Sequence, residues 1–242
     1  PRWRSDPDEC EGTLAGEERF PEEAVDNLER ELGPYATACQ YQQTPEPRGG
    51  GILKRDFWQS WEGKFPPFSY IFASVDGAFT ADEANDPSAL TIWGVFENDA
   101  HHNRAMLIFG WRKYLEFEGQ RLRPDPGENQ RDFMARQMKE WGLIEWTEHT
   151  CSYWKVDRLL IEAKASGITV AQEMRRLYKE DGWLVEECPV AGDKVARAHA
   201  VEPTFAAGLV YAPDEEWAEK VIAQAETFPK SKFKDLVDSS TQ

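Results

Sequence analysis

Three apolar runs close together, residues 69–75, 89–96 and 105–111, constrain this chain more than any other feature. Each is seven or eight residues long, rich in β-branched and aromatic side chains, and too short for a typical helix. The short links between them suit an antiparallel meander. Beyond residue 156 the pattern changes to strand-helix alternation: strands at 158–162, within 182–190 and at 209–211, helices at 167–179, 194–200 and 215–227, and a short final helix near 233–237. A meander followed by alternation predicts an α/β domain, a mixed central sheet with helices on its faces. Ahead of it, 21–32 carries the marks of a short helix, with Pro21 in the first turn, Glu22 and Glu23 at the positive end, and Gly33-Pro34 as a stop. The run 115–130 reads as a loop or exposed hairpin. Phe133, Met134, Met138 and Trp141 recur at helical spacing.

Composition narrows the chemistry. No apolar run approaches the roughly 20 residues of a membrane span, and no basic-then-apolar leader is seen. The chain opens at Pro1, which suggests a piece of something longer. Cys10, Cys39, Cys151 and Cys188 are scattered, which argues against a zinc knuckle or disulfide framework and fits a reducing compartment. The four histidines form no HxxxH pair, so a metal here must be held by carboxylate oxygens, which suit magnesium or manganese. The net charge of −16 sits awkwardly with nucleic-acid binding, but it is uneven. Residues 1–100 carry 8 Lys and Arg against 20 Asp and Glu, whereas 101–242 carry 20 against 24. Any DNA groove is expected from the basic clusters of the second part.

Phosphodiester cleavage by divalent ions needs carboxylates from distant parts of a chain to converge. In sequence they appear as acids just past apolar strands, and Asp76 and Glu162 sit in such places. A third candidate pair, Asp235 and Asp238, lies at the start of the final helix and shares one face of it. Each also has an ordinary role: a turn for Asp76, a solvent-facing strand end for Glu162, a helix cap for Asp235. Lys194 and Arg197 share a helical face and are read either as phosphate contacts or as solvated surface, as is Lys164. Trp93, Trp111 and Trp217 read as packing residues, since duplex substrates present no splayed bases for stacking.

Several phrases together resemble the terminase large subunits of phages. They are 18–22 (Glu-Arg-Phe-Pro-Glu), Gly33-Pro34-Tyr35, 39–45 (Cys-Gln-Tyr-Gln-Gln-Thr-Pro), Asp76 at the first strand end, 160–167 (Leu-Ile-Glu-Ala-Lys-Ala-Ser-Gly), 192–198 (Gly-Asp-Lys-Val-Ala-Arg-Ala), and 228–239, from Phe228-Pro229 to Asp235, Asp238 and Ser239. The resemblance implies an RNase H-like fold: a mixed central sheet, its first three strands antiparallel, flanked by helices. It implies that Asp76, Glu162 and Asp235 are catalytic and bind two Mg²⁺ or Mn²⁺ ions, with Asp238, on the same helical face, as the alternative third ligand. One departure stands out: Lys234 occupies the place of the first of the family's paired aspartates. Lys194, Arg197 and Lys164 are the expected DNA contacts. No GxxxxGK[ST] phosphate loop occurs, so residues 1–50 are read as the trailing edge and linker of an absent ATPase motor, and 51–242 as the nuclease domain. The implied activity is endonucleolytic cutting of concatemeric double-stranded viral DNA when packaging starts and ends. The implied partners are that DNA, the ATPase domain of the same parent chain, the small terminase subunit and the portal protein, in the host cytoplasm and without a membrane. The alternatives are a non-catalytic coupling or DNA-binding module of the packaging motor, and another RNase H-like nuclease of resolvase or transposase type.

Overall fold

The computed structural model describes residues 21, 23–28, 30–32, 51–77, 87–97, 103–163, 165–178, 182–189, 192–229 and 234–241. The expected lead-in and linker lie mostly outside these, as do Lys164 and two of the cysteines, Cys10 and Cys39. Within the expected lead-in helix, 23–28 and 30–32 are helical.

Among the described residues seven strands form one sheet: β1 (Trp58–Trp61), β2 (Tyr70–Asp76), β3 (Ser88–Glu97), β4 (Asn103–Lys113), β5 (Arg158–Glu162), β6 (Leu184–Cys188) and β7 (Val210–Pro213). Their order is β1-β7-β4-β3-β2-β5-β6. β2, β3 and β4 are the antiparallel meander, while β5 lies parallel to β2 and β6 parallel to β5. These five strands make the RNase H-like arrangement that was expected. β7 adds to β4 in parallel, and β1 closes that edge. The four-residue β1 has no counterpart in the sequence reading. Its Trp-Gln-Ser-Trp pattern is too short to signal a strand, and pairing with β7 defines it.

The helices are α1 (Gln130–Gln137), α2 (Leu143–Trp154), α3 (Ala165–Leu177), α4 (Lys194–Ala206), α5 (Glu216–Thr227) and α6 (Asp235–Ser240). The aromatic spacing at 133–141 marks α1 and a 3₁₀ turn after it, neither with a buried residue. The weightier helix is α2, which sequence reading missed. It buries Leu143, Ile144, Thr147, Thr150 and Cys151. Its start at Gly142 has no side-chain acceptor of its own. Glu145 Oε2 reaches back instead, accepting from the Gly142 and Gly119 N–H groups at 3.0 and 2.9 Å. α4 runs past its expected end at 200 despite Pro203, whose missing N–H and ring clash with the preceding turn work against the helix, while that turn and the next bury Ala198, Glu202 and Phe205.

Two cores cover the two sheet faces. On one, Ala73, Val75, Leu90, Ile92, Leu159 and Ile161 pack under α2 and α3 through Leu143, Ile144, Val170 and Met174. On the other, Ala89, Trp93, Leu107, Val210 and Ala212 pack under α4, α5 and α6 through Phe205, Val221, Ala225, Leu236 and Val237. Trp93 and Trp111 are packing residues, 4% and 8% exposed, and each spends its indole N–H inside the protein, on Thr91 and Thr150. Trp217 packs, partly buried, against the second core.

The turn from β5 into α3 leaves no room for a side chain. A β-carbon on Gly167 would lie 1.9 Å from the Glu162 carbonyl oxygen, a backbone atom that cannot step aside. Gly167→Ala therefore forces the end of β5 and the start of α3 apart. Its expected cost is about 1–3 kcal/mol, read as a fall in Tm of roughly 2–12 °C for a domain of this size.

Candidate active site

Strand alternation decides which acids meet. Val75 of β2 is paired with Ile161 of β5 in parallel register, and both face the α2–α3 core. The next residues, Asp76 and Glu162, must then face the other way, side by side, with backbones about 4.8 Å apart. That is the face carrying α6. The end of this helix is fastened to β3, where the Thr91 hydroxyl lies 3.1 Å from the Ser239 carbonyl and 3.2 Å from its Oγ. Thr91 is itself opposite Ser74 of β2. The fastening brings Asp235 and Asp238 over the strand ends.

The four acids form one electrostatic group. Burial pushes the Asp76 carboxyl up to about 6, and the charges of Asp238, Glu162 and Asp235 push in the same direction while Lys194 opposes them. Burial likewise raises Asp238 above the usual carboxylate range, although Lys194 and Arg197 counter it. Asp235 and Asp238 are 5% and 1% exposed, among the least accessible charged groups of the chain. Asp235 is not the helix cap that its position suggested. It is the first residue of α6, and the cap position falls to Lys234, whose side chain makes no capping bond.

Two cations from α4 enter the group. Glycine 192, at φ +73°, turns the chain so that Asp193 can cap α4, its Oδ1 accepting from the Ala196 N–H at 2.7 Å. The first turns of that helix then aim Lys194 and Arg197 at the acids. The Lys194 ammonium is hydrogen-bonded to Asp238 Oδ2. Arg197 Nη1 donates to Glu162 Oε1 at 3.0 Å, and its Nη2 lies 3.6 Å from Asp238 Oδ1. The second distance is an ion pair without a hydrogen bond, and Asp238 Oδ1 is buried with no hydrogen-bond donor. Burial disfavours the charged Lys194, but its bond to Asp238 and the nearby charges hold it above its ordinary range. The Lys194 side chain is 42% exposed and that of Arg197 11%, so the first can turn outward and the second is built in.

The structure thus unites Asp76, Glu162, Asp235, Asp238, Lys194 and Arg197, whereas Lys164 lies outside the described residues. Among the described residues no three acidic, histidine or cysteine side chains already stand as a ready metal cage. Glu162 and Asp238 are turned onto Arg197 and Lys194 instead. The donor set still fits a hard divalent cation. It consists of carboxylate oxygens from three separate elements, carries more negative than positive charge, and holds a buried Asp238 oxygen lacking a donor. Sequence reading missed two contributors to this geometry, Thr91 and Gln224. The Gln224 side chain accepts from the backbone of α6, and nothing in the local sequence announces either role.

No family model matches the sequence, and no curated protein is similar to it. Solved structures do share its fold. The large terminase of the thermophilic bacteriophage D6E, in complex with ADP, superposes with a TM-score of 0.54 at 10% identity, covering 86% of this chain and 44% of that one. Another structure of the same terminase gives 0.53 with the same identity and coverage. The magnesium-bound large terminase nuclease of the thermophilic phage G20c superposes more loosely, at 0.45 and 13% identity, over 80% of this chain and 95% of that one. At such identities the likeness is one of fold. The chain spans less than half the length of the D6E terminase.

The buried acids carry a pH signature. A carboxyl whose folded pKa is raised is protonated more readily in the folded than in the unfolded chain. Its cost to stability is therefore absent below about pH 4 and develops as pH rises towards 6. In EDTA, Asp76→Asn is expected to be more stable than the parent at pH 7, by up to about 3 kcal/mol, and equal to it near pH 4. Parallel Tm profiles of the two proteins check this. A constant gap across the range would refute the coupling.

Proposed function

We propose that this chain is the nuclease part of a phage terminase large subunit, a metal-dependent endodeoxyribonuclease that cuts concatemeric double-stranded DNA when packaging starts and ends. The observation that carries the reading is the convergence of Asp76, Glu162, Asp235 and Asp238, from two parallel strand ends and one helix, into a single buried group. The shared fold with a phage large terminase supports it, as do the sequence phrases at 39–45 and 160–167.

In this reading Asp76, Glu162 and Asp235 hold Mg²⁺ or Mn²⁺, two ions in the expected arrangement, with Asp238 as a further ligand. Divalent ions there supply charge neutralisation at the scissile phosphate and acidify the attacking water. The chain's own residues do the rest. Asp76 lies between Glu162 and the acids of α6, and all four must be ionised to bind a cation, which their mutual repulsion makes dependent on that cation. Arg197, held inside, keeps Glu162 and Asp238 at a set separation. Lys194, half exposed, is free to leave Asp238 for a backbone phosphate, and Lys164 is a further proposed phosphate contact. Low sequence preference is expected, since nothing in the sequence looks like a base-reading helix. Residues 1–50 form the lead-in from the ATPase motor, and 51–242 the nuclease domain. The small terminase subunit and the portal are its other partners, in the host cytoplasm. Among the described residues no helix is long and apolar enough to cross a membrane.

A second reading, a non-catalytic coupling module of the same motor, is favoured by the ion pairs that already occupy Glu162 and Asp238. One preparation separates them. The nuclease is expected to nick and linearise supercoiled plasmid with Mn²⁺ or Mg²⁺, to stop in EDTA, and to lose at least about 100-fold in rate as Asp76→Ala, more than outer-shell groups usually cost. Mn²⁺ at a hundred times its Kd should also add about 2.7 kcal/mol of stability. A chain that neither binds Mn²⁺ nor cuts is the coupling module. Cleavage that survives in Asp76→Ala places the active site elsewhere.

A further inference from the structure

α6 is only six residues long, and a helix of that length does not persist without help from outside. Its first N–H groups have no intrahelical partner. A capping side chain normally accepts from the second and third helical residues, but Lys234, at the cap position, offers no acceptor. The acceptor comes from another element. Gln224, on α5 and 7% exposed, places Oε1 2.7 Å from the Leu236 nitrogen and 3.2 Å from that of Val237. Two backbone donors on one atom also settle which end of the amide is oxygen, since the NH₂ group has nothing to accept with.

We propose that Gln224 is the positioning residue of the acidic helix, a cap supplied in trans that sets where Asp235 and Asp238 stand relative to Asp76 and Glu162. The inference rests on the metal-site reading given above. The residue type is explained by the site. An aspartate or glutamate would satisfy the same two N–H groups but add a fifth negative charge to four buried acids, whereas the neutral amide supplies the oxygen without it. α6 is then fixed at both ends, by Gln224 at its start and by Thr91 with Ser239 at its finish. Between these two points the buried Leu236 and Val237 press the helix against the second core.

The test compares Gln224→Met, which keeps size and removes the acceptor, with Gln224→Glu, which keeps the acceptor. Mn²⁺ affinity is measured by calorimetry, and protection of the Leu236 and Val237 amides by hydrogen exchange in EDTA. The expected result is a loss of Mn²⁺ affinity of more than fivefold in Gln224→Met, with both amides losing protection, while Gln224→Glu keeps protection and binds Mn²⁺ at least as tightly as the parent. The proposal is overturned if Gln224→Met stays within fivefold of the parent with both amides protected, or if Gln224→Glu loses affinity as Gln224→Met does, which would show that the acceptor oxygen is not what sets the helix. Should Gln224→Met not fold, the parent against Gln224→Glu decides by the same two readouts. Absence of Mn²⁺ binding in the parent itself would sink the metal-site reading and leave the cap to be judged by amide protection alone.

Discussion

Buried like charges must be held together by something stronger than their repulsion, and most of this structure serves that requirement. Asp76, Glu162, Asp235 and Asp238 come together in a poorly solvated corner, where burial and then the neighbouring acids push the Asp76 carboxyl up. The resident cations offset part of that push. Arg197 is nearly enclosed and touches acids from two elements, so removing it would leave uncompensated buried charge, an expensive fault. Lys194, partly exposed, supplies the hydrogen bond that the buried Asp238 accepts. Positive charge is thereby divided between a fixed part and a movable part, an arrangement suited to a pocket that must exist before a cation or a phosphate arrives.

The frame that bears this strain is a sheet packed on both faces. β2 is an inner strand, paired on both sides with β3 and β5, and the first acid ends it. Parallel pairing with β5 delivers the second acid beside it. The α6 acids come from the far end of the chain and need separate anchors, which is why polar contacts are concentrated there: Thr91 to Ser239, Trp93 to Thr91, and Leu236 and Val237 to Gln224. Hydrogen bonds in a dry interior specify one arrangement, because any other leaves their donors unsatisfied.

Much of this was legible in the chain itself. The three apolar runs became β2, β3 and β4, because a strand buried on both faces needs little more than continuous apolar length. Asp76 and Glu162 were recognisable as acids at the ends of such runs, and Asp235 with Asp238 as neighbours on one helical face. β1 and α2 were not. β1 is four residues whose strand character comes from β7, and α2 starts at a glycine stabilised by Glu145 and by a loop residue, Gly119.

Local pattern by itself determined the order of most elements, the strand ends at which acids lie, and the α/β class of the fold, because hydrophobic periodicity is a property of neighbours in the chain. Only the tertiary structure decided that Asp76 and Glu162 share a face, that Arg197 is enclosed between Glu162 and Asp238 while Lys194 reaches solvent, and that the first helical turn at Asp235 is capped by Gln224. Those are matters of register, burial and through-space charge between residues up to about 160 apart in sequence. No spacing along a single strand or helix encodes them.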